Sequence, residues 1–342
     1  MDLEKMSLDE ANNIPGMIEE SEKKLLYVIA QTLPLEDGDS IIEFGPFFGQ
    51  STNCIAQGLK ANSTFGDKCN FYTYDSFECN KNGWFGPQVL LHAKKAEVSE
   101  LVKTEGEIVN FEKVFYHFMK DYIEAGIVKS IKSELLNSEP PAGKIPLLQI
   151  DSPKYYEELK IILEKFLPLT KVNGFIVFQD FFYQWSATII LPVAILIDRG
   201  FISIQGSAAS SLLCQIIKVP NEQDIKELDE QMKDEEDCFR FFELVINRCK
   251  IETLDKPEFF LPKITLAQIQ WLYQRKKYKD ARYTIIKYLK DGNPFHLRLV
   301  DTFLELLGFG FSIRRLFEMD QSIEKQETLS GAGKFKKEES KI

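Results

Sequence analysis

Three aspartates stand at the ends of short apolar runs that read as strands. Asp75 follows Phe71-Tyr72-Thr73-Tyr74, Asp151 follows Pro146-Leu147-Leu148-Gln149-Ile150, and Asp180 follows Phe175-Ile176-Val177-Phe178-Gln179. A fourth acid, Glu43, lies within Ser40-Ile41-Ile42-Glu43-Phe44, and the glycine loop Gly45-Pro46-Phe47-Phe48-Gly49 comes next. Open α/β sheets bind ligands beyond the carboxyl ends of their strands, so acids at those ends are placed to accept ligand hydroxyls or protons. A dinucleotide loop needs G-x-G-x-x-G, because a pyrophosphate rests on a helix N-terminus. The spacing here is G-x-x-x-G, which gives a phosphate-free ligand close backbone approach. An acid ending the second strand accepts both hydroxyls of a ribose, so Asp75 suits an adenosine-bearing ligand. A glycine pair taken alone is as consistent with a plain tight turn; its meaning comes from Asp75 and the later strand ends.

Proton transfer has few candidates. Of three histidines, His92 and His117 fall within the strand-rich part of the chain, and His92 follows the polar stretch that would lie over the ligand. A surface position is the competing reading for both. Asp151 precedes Ser152-Pro153, a helix-start signal, so it reads either as a pocket acid or as a cap. The aromatic run Phe181-Phe182-Tyr183-Gln184-Trp185 after Asp180 lines an acceptor pocket or packs in a core, and Trp84-Phe85 closes over a substrate or anchors its loop.

The elements that must position these residues alternate. A covering helix is expected over Ile18 to Ala30, a helix over Gln50 to Leu59, an amphipathic helix over Tyr155 to Phe166 and another over Ile189 to Arg199. Cys79 to Gly86 reads as a loop. His92 to Lys103 and Phe118 to Ile127 read as helices with a strand around Lys113 to Tyr116 between them. Val172-Asn173-Gly174 reads as a turn before the strand of Asp180. Phe201 to Ile204 and Leu212 to Ile217 form a closing hairpin, giving a mostly parallel sheet with one antiparallel edge strand. After Pro220 the chain turns helical: Asn221 to Asp237 is a charge-rich helix, and Ala267 to Leu289 contains one hairpin of tetratricopeptide type, too little for a repeat array. Three segments are expected, 1–220, 221–320 and a polar, disordered tail at 321–342.

The 342 residues carry a formal net charge of -10 and 44% hydrophobic content. A protein with that balance is not built to displace counterions from a phosphate backbone, so no nucleic-acid partner is expected. Six scattered cysteines without a C-x-x-C pair read as reduced thiols. With no signal-peptide pattern, and an apolar stretch from Ala187 to Ile197 too short to span a bilayer, the expectation is a cytoplasmic protein without a membrane partner.

The segments Ile41 to Ser51, Tyr74 to Glu78 and Ile150 to Phe181 together resemble class I S-adenosylmethionine-dependent methyltransferases, and among them the macrocin O-methyltransferase family of sugar and natural-product enzymes. The resemblance covers residues 16–220. It implies a doubly wound, mostly parallel seven-stranded sheet of the Rossmann-like methyltransferase type, with an all-helical C-terminal region outside the likeness. It also implies S-adenosylmethionine bound by Glu43, Gly45, Gly49, Asp75 and Ser76, with both glycines near the methionine end and Asp75 on the ribose. Asp151, Asp180 and His92 are the implied catalytic groups, and the partner is a small hydroxylated acceptor, a sugar or glycosylated metabolite. Family members that bind magnesium have a second carboxylate two residues after the place of Asp151 and an aspartate pair after the next strand. This chain has Pro153 and Gln179 there, so magnesium is disfavoured, though Asp151 and Asp180 leave it possible, and no metal ligand is assigned. A non-catalytic protein that binds a protein partner, or a second copy, through its helical region is the alternative. A nicotinamide-dependent oxidoreductase fits the sheet but not the glycine spacing.

Overall fold

The computed structural model describes residues 6–66, 69–153, 155–183, 186–251 and 257–293. Its central strand, Ser40–Phe44 (β1), is buried along its whole length, as a strand covered on both faces must be. It pairs in parallel with Asn70–Asp75 (β2) on one side and Ile145–Ile150 (β7) on the other. Val128–Lys132 (β6) extends the sheet beyond β2, and Thr170–Phe178 (β8) extends it beyond β7, both in parallel. Ile202–Ala208 (β9) and Ser211–Ile216 (β10) complete seven strands in the order β6-β2-β1-β7-β8-β10-β9. This is a doubly wound, mostly parallel Rossmann-like sheet, and its strand order reverses between β1 and β7.

The closing hairpin differs from the expected arrangement. β10 is antiparallel to both neighbours and lies inside the sheet, between β8 and the edge strand β9. Val172-Asn173-Gly174 does not end an element either: β8 runs through it, with Asn173 at φ 65° and a register shift opposite Ile145/Leu147. The expected strand at 113–116 is part of the helix Glu112–Glu124 (α5), where Val114, Phe115 and Met119 form a helical stripe facing the sheet. The missing parallel strand is β6. Cys79 to Gly86 is no loop: Glu78–Asn80 (β3) joins Lys103–Glu105 (β4) and Ile108–Asn110 (β5) in a small sheet ordered β3-β5-β4, and Phe85–Lys95 (α4) starts inside the stretch.

Helices cover both faces. Glu20–Thr32 (α2), Gln50–Ala61 (α3) and α5 pack over Ile41, Phe71, Leu147 and Val177, with Leu8–Asn12 (α1) laid across α3. Tyr156–Lys165 (α6) and Ala187–Asp198 (α7) pack over Ile42, Phe44, Leu148, Ile150, Ile176 and Phe178. α7 is apolar all round, which a helix with one wet face would not tolerate. Its outer side is met by Glu235–Ile251 (α9) and Pro257–Gln274 (α10), whose Phe241, Phe242, Val245 and Ile264 belong to the same continuous core. The apolar run from Ala187 to Ile197 is thus a core helix, and no described helix is long and apolar enough to cross a membrane.

The charge-rich run after Pro220 is two helices, since Glu222–Gln231 (α8) ends before α9 begins. α8 is tied down by Arg199, which reaches Asp224 at 2.8 Å and Glu227 at 2.9 Å, and by the Tyr156 hydroxyl, which donates to Asp229 at 2.5 Å. Tyr278–Lys290 (α11) packs on α10 as the expected helical hairpin. The expected tail at 321–342 lies outside the described residues.

Removing the chain after residue 220 uncovers the outer side of α7. Size-exclusion chromatography of a 1–220 fragment is expected to find aggregated protein, whereas a monodisperse, folded fragment would show that the sheet and helices α1 to α7 are sufficient.

Candidate active site

Backbone hydrogen bonds carry the sheet ladder one residue past the strands and align the residues that follow. Gly45 N–H donates to the Tyr74 carbonyl at 3.0 Å, Asp151 N–H to Phe44 at 3.1 Å, and Gln179 N–H to Ile150 at 2.9 Å. Asp75, Gly45, Asp151 and Gln179 therefore stand in one row at the carboxyl edge, and Gly45 and Asp151 flank the point where strand order reverses.

Glu43 lies one pleat below that row, fully buried between Thr73 and Gln149. It accepts hydrogen bonds from Ser51 Oγ and Thr52 Oγ1, both at 2.6 Å, in the first turn of α3. Burial, with a smaller contribution from the Asp75 charge, pushes its carboxyl up to about 7. Asp75 sits beside the loop itself. Phe77 N–H donates to its Oδ1 at 2.7 Å, and the N–H groups of Phe47 and Ser76 also favour its charged form, yet burial outweighs them and holds the carboxyl at about 6. Ser76 is engaged locally, with its hydroxyl donating to the Glu78 carbonyl at 3.1 Å.

The two glycines allow close packing as well as left-handed turns, with φ at 82° for Gly45 and 98° for Gly49. A Cβ at Gly45 would lie 3.0 Å from the Ser152 backbone nitrogen, and one at Gly49 would lie 2.6 Å from Met119 Sδ. Gly49 is thus filled on that side by α5, while Gly45 meets the segment after β7. There the Ser152 hydroxyl is buried with no hydrogen-bond partner among the described residues. A polar ligand group in the crevice would satisfy it, and this is the observation in favour of a ligand with hydrogen-bonding ends.

Phe47, at φ 53°, stacks on Phe48 at 4.0 Å and meets Phe85 at 5.3 Å and the edge of His92 at 5.7 Å. α4 thereby brings His92 to the glycine loop, where burial and Lys95 lower its pKa and leave it neutral at pH 7. His117 is exposed on α5. Trp84 stays exposed and stacks on Phe85 at 5.9 Å.

Asp151 is not the cap of α6; the N-cap residue is Tyr155, whose N–H donates to Glu158 Oε2 at 3.4 Å. Asp180 adopts the left-handed conformation, φ 58°, at the turn after β8. Phe181 and Phe182 are fully buried and belong to the core, while Tyr183 lies under the buried Lys263 ammonium at 4.7 Å. Gln184 and Trp185 are outside the described residues. Gln179 is occupied by Gln149, whose Nε2 donates to its Oε1 at 2.8 Å. Among the described residues no group of three or more His, Cys, Asp or Glu is placed to hold a metal ion.

Glu22 has no functional signature in the sequence. This buried α2 carboxylate accepts from Ser210 Oγ at 2.9 Å and Ser211 Oγ at 2.7 Å in the β9–β10 turn, and from Glu19 N–H at 2.8 Å. Burial, assisted by the charge of Asp180, raises it to about 7. Its partners are almost two hundred residues away, and an acid in the first turn of a helix ordinarily signals a solvated N-terminus.

No family profile and no curated protein matches the sequence. Among solved structures, the chain is similar to the O-methyltransferase NovP, at 15% identity and TM-score 0.44, over 60% of this chain and 83% of that one. It is similar to CalS11, a TDP-rhamnose 3'-O-methyltransferase of calicheamicin biosynthesis, at 15% identity and TM-score 0.36, over 56% and 76%. Cofactor-bound Rv0187 from MTB aligns at 13% identity and TM-score 0.37, over 62% and 88%. The fold assignment rests on the strand order itself.

Glu43, Glu22 and Asp75 all have carboxyls raised above their ordinary values of 4.5, 4.5 and 3.8. The folded protein therefore keeps protons that the unfolded chain has released. The stability they contribute is full below about pH 4 and is lost as pH rises through 6 to 7. Each unit is worth about 1.4 kcal/mol, so Glu43 accounts for on the order of 1–3 kcal/mol. Urea unfolding is expected to show lower stability at pH 8 than at pH 5, and a smaller difference in Glu43→Gln. An unchanged difference would remove Glu43 from the account.

Proposed function

We propose that the chain binds S-adenosylmethionine across the β1 and β2 ends and transfers its methyl group to a hydroxyl of a small acceptor, a sugar or glycosylated metabolite. The observation that carries this reading is the junction of Asp75 with the glycine loop. An acid ending β2 touches the Phe47 N–H of the loop ending β1, which suits a ligand whose ribose and amino-acid ends lie on the two strands in turn. Asp75 would take the ribose hydroxyls, and the Gly45 backbone with the Ser152 hydroxyl would take the polar methionine end.

When bound, that cofactor supplies an electrophilic methyl group on a sulfonium. The chain's own contribution is alignment and a site closed to water. His92 is the group best suited to take the acceptor proton, because it is neutral and adjoins the loop. Asp180, facing Glu22 at the end of β8, would orient the acceptor hydroxyl. Asp151 and Asp180 with an already engaged Gln179 amide make a poor magnesium shell, so proton removal by a side chain is favoured over metal activation.

The engaged Gln179 also motivates a second reading. A chain that keeps the cofactor-binding edge but lacks family carboxylates at Pro153 and Gln179 can serve as a binding protein, with its helical region meeting a protein partner or a second copy.

Isothermal titration calorimetry is expected to show S-adenosylmethionine binding that falls at least tenfold in Asp75→Ala, since two charge-assisted hydrogen bonds are worth roughly 1.5–3 kcal/mol each. No binding to the wild-type protein would refute the proposal. Binding without methyl transfer to any of a panel of hydroxylated glycosides would favour the second reading. Where transfer occurs, His92→Ala should lower kcat by about 10²-fold or more with little change in cofactor affinity.

A further inference from the structure

Lys263 on α10 is 2% exposed, the more deeply buried of the two buried lysines among the described residues. An ammonium stripped of water is costly, and an apolar side chain of the same length would fill its place at less cost. The contact it makes accounts for the charge. Lys263 Nζ lies 4.7 Å from the centroid of the Tyr183 ring, and a cation over an aromatic face is held most strongly where water is excluded.

Tyr183 belongs to the turn that follows β8 and carries Asp180. The turn is tightly bonded: Tyr183 N–H donates to the Asp180 carbonyl at 3.4 Å, Ser186 N–H donates to the Tyr183 carbonyl at 3.0 Å, and Ser186 Oγ donates to the carbonyls of Phe181 at 2.7 Å and Tyr183 at 2.5 Å. Within it Asp180 keeps its left-handed φ of 58°, a conformation that persists in a side-chain-bearing residue where the surroundings impose it. Part of that constraint comes from the β9–β10 turn, where Phe182 N–H donates to the Ser210 carbonyl at 3.3 Å and Ser210 Oγ is bound by Glu22. Lys263 holds the same turn from the C-terminal helices.

We propose that Lys263 is a positioning residue of the acceptor site. Through Tyr183 it fixes the turn that presents Asp180 to the acceptor, so the C-terminal helices complete the site and are not a separate binding module. The effect on acceptor binding rests on the methyl-transfer reading, whereas the clamp on the turn is measurable without turnover.

Hydrogen–deuterium exchange of the full chain, read by mass spectrometry, tests the clamp. Lys263→Met keeps the length of the stem and removes the charge. It is expected to speed exchange of the 180–186 amides about tenfold, as loss of one desolvated cation–π contact would, with the Gly45 and Phe77 amides unchanged and no fall in melting temperature. Lys263→Arg keeps a cation over the ring and should restore wild-type exchange. Tyr183→Leu removes the ring and should reproduce the Lys263→Met effect, and the double variant should add nothing to it. With methyl glycosides as acceptors, Lys263→Met should raise the acceptor KM about tenfold while S-adenosylmethionine affinity stays within twofold of wild type. The proposal is overturned if exchange in the turn is unchanged in both single variants, if it rises equally at the β1 and β2 ends, or if the two substitutions are additive. Methyl transfer with an unchanged acceptor KM in Lys263→Met overturns it alone; a wild-type protein that transfers no methyl group overturns the methyl-transfer reading and the acceptor role with it.

Discussion

Parallel pairing of β1 with β2 sets Asp75 beside Gly45 at the carboxyl edge of the sheet, with Glu43 one pleat below, and the loops that make the site are built on these two acids. Glu43 ties β1 to the first turn of α3 through the Ser51 and Thr52 hydroxyls. Asp75 holds the N–H groups of the loops that follow both strands. Neither acid reaches water freely, so their carboxyls are raised by burial and lean on hydrogen bonds to stay where they are. Once that junction exists, Phe47 is turned into its left-handed conformation against Phe48, and α4 closes on it with Phe85 and His92.

The other half of the edge has its own junction. Glu22 reaches from α2 to the β9–β10 turn and lies in the field of Asp180. It connects α2 with the β9–β10 hairpin, which joins the sheet by pairing β10 with β8. The C-terminal helices contribute from behind: α9 and α10 cover α7, which in turn supports β8 and the turn bearing Asp180.

Much of this is legible in the sequence. The runs at 40–44 and 145–150 are buried on both faces and therefore mostly apolar, and the acids at the strand ends stand out against them. β6 was missed because Val128-Lys129-Ser130-Ile131-Lys132 is an edge strand with two lysines, which is how an edge is protected and how its apolar pattern is diluted. The 113–116 segment misled because four residues cannot separate a strand from one turn of an amphipathic helix. Glycine spacing showed where the chain turns tightly but not what fills the turn; only the fold reveals that Met119 occupies one side of Gly49. The role of Glu22 depends on serines brought close by the whole sheet, a relation with no local trace.

The proposed site for an adenosine-bearing ligand is the junction of Asp75 and the glycine loop. A crystal structure of the protein grown with S-adenosylmethionine tests that placement most directly. It is expected to show the Asp75 carboxylate accepting the ribose hydroxyls, with the methionine end between Gly45 and the Ser152 hydroxyl. A bound cofactor elsewhere on the molecule, with Asp75 still holding only the backbone N–H groups of its own loops, would contradict it.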